Sequence, residues 1–458
     1  MPAAATSASL PPLAAVPVPA HARLAYVLRH FRLAYENVPD VRIGFLAAEP
    51  AVEIHDGAGD FFSQARPHPA APNYREWDGR LVPFFFDARP GATLLVLTAG
   101  HAVINADIIS AAFYLLSGWQ EYYSEARDRH GRFPYAASVQ AQFGFVALPV
   151  VNYYFEVLKT AVEHVTGQPL KPRRWPKEAP LAAFITHDID NLRSAWKSPA
   201  KAALQRGRLF HFGRLLWRHL AQPDAWNNLE AVAATTAGYG ARSTFFVLPE
   251  HRPGADGTPN ADYVLSAQQK SRLAALQRRG AELALHGSIG TATDAPRLSH
   301  ELRRLPREPR GLRFHYLRWE PRRTPQLLDA VGFAYDSTLG FAEHYGFRHS
   351  YCLPFFPFNF ETGTPHDFLE IPLNVMDATL HHPNYLRLSP DEILPALRPL
   401  LAEIERFGGV ATVLWHNENF DPANTTNGPQ QFADLMADLQ QRGAAFLTGR
   451  EISRYFRH

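Results

Sequence analysis

The chain changes rhythm near position 181. Before it, helical spacing of apolar residues dominates. "HARLAYVLRHFRLAYE" reads as an amphipathic helix, and "VRIGFLA" and "TLLVLTAG" read as short buried strands. "ADIISAAFYLLSGWQEYYSEARDRHGRFP" is a helix running into a charged, loop-like turn, and "PVVNYYFEVLKTAVEHV" is a second amphipathic helix closed by Gly167. These segments predict a mixed α/β domain over 21–168. The Pro- and basic-rich "KPRRWPKEAP" follows, so 169–180 is expected to be a linker.

From Leu181, short apolar runs alternate with helical stretches. "LAAFITHD", "RSTFFVLPE", "AELALHGS", "LRFHYLRW", "FAYDSTLGF", "FLEIPLN", "GVATVLWHNENF" and "GAAFLTG" have the composition of strands. Between them lie a long helical region over 194–239 with a break at Pro223, and "SAQQKSRLAALQRRG" with Ser266 as N-cap and Gly280 as stop. "TPQLLDAVG", stopped by Gly332, and the helices "SPDEILPALRPLLAEIERFG" and "GPQQFADLMADLQQRG" complete the series. Such alternation predicts a parallel sheet with right-handed crossovers. Seven or so strands fit a (β/α) barrel better than a small open sheet, although periodicity alone leaves a doubly wound sheet open.

Composition narrows the classes. Hydrophobic residues make up 46% of the 458 and charged residues 20%, which supports a sizeable core and argues against wholesale disorder. A net charge of +2 gives no global field for nucleic acid or for an anionic membrane, leaving only local basic patches. The single cysteine, Cys352, rules out an intrachain disulfide. There is no apolar run of 18 residues, so no membrane span is expected. Residues 1–20, "MPAAATSASLPPLAAVPVPA", lack Lys and Arg and are rich in proline, and they read as a disordered tail of a cytoplasmic protein.

The candidate chemistry lies where the apolar runs end. His187, Asp188 and Asp190 follow "LAAFIT", and His286 follows "AELAL". Arg313 and His315 lie in "LRFHYLRW", Asp336 follows "FAY", and His416, Asn417 and Glu418 follow "VATVLW". Singly, each reads as a loop histidine, a cap or an ion pair. In a (β/α) barrel, however, all these strand ends would converge on one face, where active sites are built. A carboxylate and a histidine at adjacent strand ends suit a divalent ion. A second carboxylate can take a proton from water, a histidine opposite can protonate a leaving group, and an arginine can hold the base ionised. That equipment fits metal-assisted hydrolysis of an amide or ester.

"ITHDIDN", "LALHGSIGTATD", "LRFHYLRWEPRRTPQLLDAVGFAYDST" and "TVLWHNENF", in this order, resemble the polysaccharide deacetylase (NodB-homology) superfamily over about 181–458. The resemblance implies a distorted (β/α)7-type barrel preceded by the smaller mixed α/β domain. It also implies a bacterial, metal-dependent amide hydrolase that removes acetyl or a similar acyl group from an N-acetylated sugar or polysaccharide precursor. Carried over by position, it makes Asp188 the base, Asp190 and His286 metal ligands, Arg313 the residue that positions the base, and His416 the general acid. The family's second motif carries another histidine four residues on, where this chain has Gly290. His315, standing where the family has proline, becomes the candidate third ligand, with His187 as another. The expected cofactor is a divalent metal, zinc foremost. Tyr316, Trp319, Ser288 and Asn417 are the expected carbohydrate contacts, and the Pro-rich "GFRHSYCLPFFPFNFETGTP" an expected substrate cover. The competing reading is a catalytically impaired carbohydrate-binding or scaffold protein, its N-terminal domain, similar to uncharacterised domains preceding such barrels, docking a protein partner.

Overall fold

Eight parallel strand segments curl into a barrel-like sheet in the computed structural model, which describes residues 15–307 and 309–457. In chain order they are Ala182–Ile189, Thr244–Val247, Glu282–Gly287, Gly311–Phe314, Tyr335–Asp336, a sixth in two pieces, Leu369–Glu370 and Val375–Met376, and a seventh, Val410–Leu414. The two pieces of the sixth are the ends of the sheet: Leu369–Glu370 pairs with Tyr335–Asp336, and Val375–Met376 pairs with the seventh strand. The seventh then pairs with the first, Val410 opposite Ala182 and Leu414 opposite Thr186. A short extra strand, Ala445–Phe446, pairs with the base of the first.

The first strand is buried over all eight residues, as a parallel strand covered on both faces must be. Alternation sorts its side chains. Phe184, Thr186 and Asp188 point inward: Phe184 lies 6.1 Å from the Tyr335 ring of the fifth strand, and Thr186 and Asp188 meet Arg313 of the fourth. His187 points outward, with its Nδ1 2.8 Å from the Trp415 carbonyl oxygen and its Nε2 3.1 Å from the Ser243 hydroxyl. That placement removes His187 from the candidate ligands.

The expected helix Ala267–Arg278 starts at Ser266, whose side chain accepts the Gln269 N–H. Helix Thr324–Val331 ends at Gly332, where φ of 84° suits glycine. "LRFHYLRW" is a strand only through Phe314. It then turns through His315–Leu317 with φ of 58° at Tyr316, a left-handed conformation that costs energy in a non-glycine residue. No helix among the described residues is long and apolar enough to cross a membrane.

The smaller domain is mixed α/β. Its four-stranded sheet has the order Ile43–Phe45, Val52–Ile54, His101–Ile104, Leu95–Thr98. Helix Val150–Thr166 packs on this sheet and on helix Ile108–Leu116, which is apolar on every side and buried at every residue. The strand expected to be buried in "TLLVLTAG" is instead the antiparallel edge, and it leaves Val96 and Leu97 exposed. Of the tail expected over 1–20, residues 1–14 lie outside the described residues. Beyond them, Val18 is buried, its N–H donating to Phe62, and a helix begins at Ala20. The 169–180 linker is packed too: Lys171–Pro172 pair with Tyr35–Glu36, and buried Trp175 donates to the Gly408 carbonyl at 2.8 Å.

One loop departs from expectation because the two domains share a single apolar core. The segment read as a substrate cover is interdomain packing. Phe358 meets Tyr26 and Phe113, and Phe360 stacks on Tyr122 with ring centroids 4.1 Å apart. Arg348 in the same segment forms a buried ion pair with Glu121, at 2.7 and 2.5 Å. The charged turn of the smaller domain folds over the barrel mouth. Asp128 ties the turn to Arg132, Arg132 donates to the Tyr316 carbonyl at 3.2 Å, and the His130 ring stacks on Tyr316 at 4.7 Å.

Candidate active site

The strand ends do converge. Asp188 ends the first strand and Asp190 follows it, His286 lies on the third, Arg313 on the fourth with His315 just beyond, and His416 follows the seventh. All of these except the buried Arg313 line a cavity of about 380 Å³, together with Leu317, Met376 and Leu414 and with Arg129, His130 and Arg132 of the smaller domain.

Arg313 is fully buried and fully engaged. Its Nη1 donates to Asp188 Oδ1 at 2.9 Å and to Thr186 Oγ1 at 2.8 Å, while Nε and Nη2 donate to Ser337 at 2.8 and 3.0 Å. Its guanidinium carbon lies 4.3 Å from the Phe246 ring centroid. A buried guanidinium needs such partners, and the arrangement fixes one carboxylate oxygen of Asp188 and leaves the other facing the cavity side.

Beside it, three acceptor atoms meet. His286 Nδ1 lies 2.9 Å from the Arg313 carbonyl oxygen, which can only accept, so Nδ1 carries the hydrogen and neutral His286 presents a bare Nε2. His315 Nε2 likewise faces the Pro259 carbonyl at 3.3 Å and leaves Nδ1 bare. These two bare nitrogens are 3.1 Å apart, and Asp190 Oδ1 lies 3.4 Å from each. Asp190 Oδ1 is buried with no hydrogen-bond partner in the protein. Three lone pairs facing one another demand a positive centre. The edges match a tetrahedron with bonds of about 2.0–2.1 Å, whose edge is about 3.3 Å. The donor set of Asp190, His286 and His315 therefore fits a divalent cation.

Electrostatics agrees. Burial works against charge on Asp190, but the facing His315, His286 and His416 outweigh it and hold its carboxyl far below the usual range. Burial pushes His315 down to about 4. Burial opposes protonation of His286 as well, yet Asp188 and Asp190 raise its pKa overall, so these carboxylates favour a positive charge at Nε2, which a cation would supply in place of a proton.

His416 stands across from the triad, Nε2 3.8 Å from Asp190 Oδ2. Behind it is Asp377, a residue the sequence reading missed. Asp377 is buried, it follows the short strand Val375–Met376, and its Oδ1 lies 2.7 Å from His416 Nδ1. Burial disfavours the imidazolium, but Asp377 outweighs it and raises His416 well above its ordinary pKa. The rule that found Asp188, an acid directly after an apolar run, would have found Asp377 in "NVMD". Glu418, on the same rim, accepts from Asn191 at 2.8 Å, and burial pushes its carboxyl up to about 7.

The expected sugar contacts divide. Tyr316 lines the cavity, whereas Trp319 lines an adjoining groove of about 460 Å³ beside His130 and Arg323. Ser288 and Asn417 are buried and turned away from the cavity. Ser288 donates to the buried Glu301, and the Asn417 amide donates to the Asn191 and Trp226 carbonyls at 2.9 and 2.7 Å. The Ser288 hydroxyl and the Asn417 amide N–H groups are used inside the protein, so these donors do not meet substrate as expected.

Residues 23–167 match the model of a family of unknown function (DUF7033). No curated protein matches the chain. Among solved structures, a protein from Mycobacterium smegmatis assigned as a polysaccharide deacetylase is similar at 18% identity and a TM-score of 0.42, covering 63% of this chain and 94% of that one. Puue allantoinase is similar at 15% identity and a TM-score of 0.40, covering 62% and 94%. A protein from Pseudomonas aeruginosa PAO1, also assigned as a polysaccharide deacetylase, is similar at 15% identity and a TM-score of 0.39, over the same shares. The uncharacterised N-terminal domain meets a counterpart in the family matched over residues 23–167; the chemistry rests on the site's own atoms.

Proposed function

We propose that the barrel is a metal-dependent amide hydrolase that removes an acetyl or similar acyl group from an N-acetylated sugar or polysaccharide precursor. One observation carries this reading: the bare nitrogens of His286 and His315 and the unpartnered Asp190 Oδ1 meet at 3.1–3.4 Å between a fixed carboxylate, Asp188, and a carboxylate-backed imidazole, His416. Asp190, His286 and His315 would hold the cation, with zinc the best match to one oxygen and two imidazole donors. When bound, it supplies a Lewis acid for the acyl oxygen and lowers the pKa of water.

The chain's own groups do the proton work. Asp188, held by Arg313, takes the proton from the attacking water. His416, kept charged and oriented by Asp377, gives a proton to the departing amine. The apolar wall of Leu317, Met376 and Leu414 receives the acyl methyl, and Tyr316 offers a ring face to the sugar. His315, whose Nδ1 stands at ligand spacing, supports the hydrolase reading over the non-catalytic binder although the second motif histidine is absent.

The test is release of acetate and free amine from N-acetylated glycans and nucleotide sugars by zinc-loaded protein, with Asp188→Asn as control. Release expected from the wild type should fall by about 10²–10⁴-fold in the control. Equal release from both would remove Asp188 from the chemistry and the reading with it.

A further inference from the structure

Between Asn191 and Pro223 the chain carries seven Arg and Lys residues and no Asp or Glu, although the whole protein is nearly balanced at 46 to 44. This stretch forms two helices, Lys197–Gln205 and Leu209–Ala221, inserted between the first barrel strand and helix Leu229–Gly238. The second helix buries none of its residues. Leu209 is 70% exposed, Phe210 90%, Trp217 63% and Leu220 77%. At 100° per residue, positions 209, 220, 213, 217 and 210 fall in one arc of about 100°, and Arg214 and Arg218 lie beyond it on one side. An amphipathic helix normally turns its apolar face to the core. This one turns an apolar stripe outward, with positive charge along one side of it.

The hairpin is firmly rooted. Trp196 stacks on His219 with ring centroids 4.6 Å apart, and Asp224 accepts the Ala195 N–H at 3.2 Å. Both feet are tied to the rim of the site: the Asn417 amide binds the Asn191 and Trp226 carbonyls, and Asn228 donates to the Asn417 carbonyl at 2.9 Å. Asn417 is the neighbour of His416.

We infer that this hairpin docks the protein on an anionic lipid surface, its aromatic stripe entering the headgroup boundary and its cations meeting the lipid phosphates. Charge complementarity selects that occupant. A second copy would bring cations against cations, and nucleic acid offers nothing to the Leu209–Phe210–Trp217–Leu220 stripe. A bilayer with anionic headgroups satisfies both features at once. Docking there sets the barrel mouth beside the membrane, whatever bond the site cleaves.

The experiment is sedimentation of the full chain with vesicles of phosphatidylcholine alone or with an equal share of phosphatidylglycerol, at low and high salt. Binding is expected only to the phosphatidylglycerol vesicles and should weaken as salt rises. The pairs Phe210→Ser with Trp217→Ser, and Arg214→Glu with Arg218→Glu, change exposed side chains and should keep the wild-type thermal unfolding. Each pair should reduce binding by about tenfold or more. Wild-type protein that stays in the supernatant with phosphatidylglycerol vesicles overturns the inference, as does undiminished binding by both pairs. Self-association abolished by the Phe210 and Trp217 changes, without vesicle binding, would also overturn it by identifying a second copy as the occupant.

Discussion

Asp377 holds His416 by two atoms at once: its Oδ1 faces the ring Nδ1 at 2.7 Å, and its Oδ2 accepts the His416 backbone N–H at 2.6 Å. The imidazole is thereby fixed in position, with Nε2 presented to the cavity. Asp377→Asn keeps the shape but replaces the charge that sustains the imidazolium. The expected result is a fall in kcat of about 10²-fold or more with little change in KM, since the effect is on proton donation rather than substrate contact. An unchanged kcat would show that His416 works without its carboxylate.

His315 decides the metal site. If it is the third donor, His315→Ala should lose metal as completely as Asp190→Ala or His286→Ala, with affinity down by more than about 100-fold. Metal content after dialysis reads this directly. Full zinc retained in His315→Ala would move the third ligand elsewhere. Stripping the wild type with a chelator should abolish acetate release, and added zinc should restore it.

The Glu121–Arg348 pair joins the domains where both side chains are at most 3% exposed. Removing one partner leaves an uncompensated buried charge, so Glu121→Ala should destabilise the protein by about 3–5 kcal/mol in denaturant titration. The double change Glu121→Leu with Arg348→Met should be less destabilised than Glu121→Ala. If it is more so, the pair is not behaving as a buried charge pair.

His30 gives an acid-sensitive contact between the domains. Its Nδ1 faces the Tyr26 carbonyl at 2.9 Å, and its Nε2 accepts the Phe356 N–H at 3.1 Å, so the ring must be neutral. Burial pushes its pKa from 6.5 down to about 4. On acidification the unfolded chain therefore takes the proton first. The stabilisation is complete above pH about 6.5 and is lost as pH falls toward 4, with a limiting slope of about 1.4 kcal/mol per pH unit. His30→Gln should flatten the stability–pH curve in that window. A slope identical to wild type would reassign the acid sensitivity to other groups.

The local parts of the fold and site were legible in the sequence, because they follow from one-dimensional patterns. Period-2 and period-3.6 runs marked the barrel strands and helices, and Ser266 and Gly332 marked helix ends through their own capping chemistry. Polar residues directly after buried apolar runs marked Asp188, Asp190, His286 and His416, since a parallel barrel gathers strand ends on one face. The sequence by itself thus determined which residues could meet.

Only the tertiary structure decided which of them do, and in what chemical state. His187 was excluded by pleat alternation, which sends it under the helices. His315 acquired its bare Nδ1 from the Pro259 carbonyl, 56 positions away, and Ser288 was drawn to Glu301. The aromatic segment through Phe358 and Phe360 was claimed by the smaller domain, because two apolar faces bury more surface against each other than a loop could bury against a sugar. A side chain's identity is local, but its partner is set by packing across the whole core. For that reason the pairing of Asp377 with His416, rather than the acid itself, was decided by the fold.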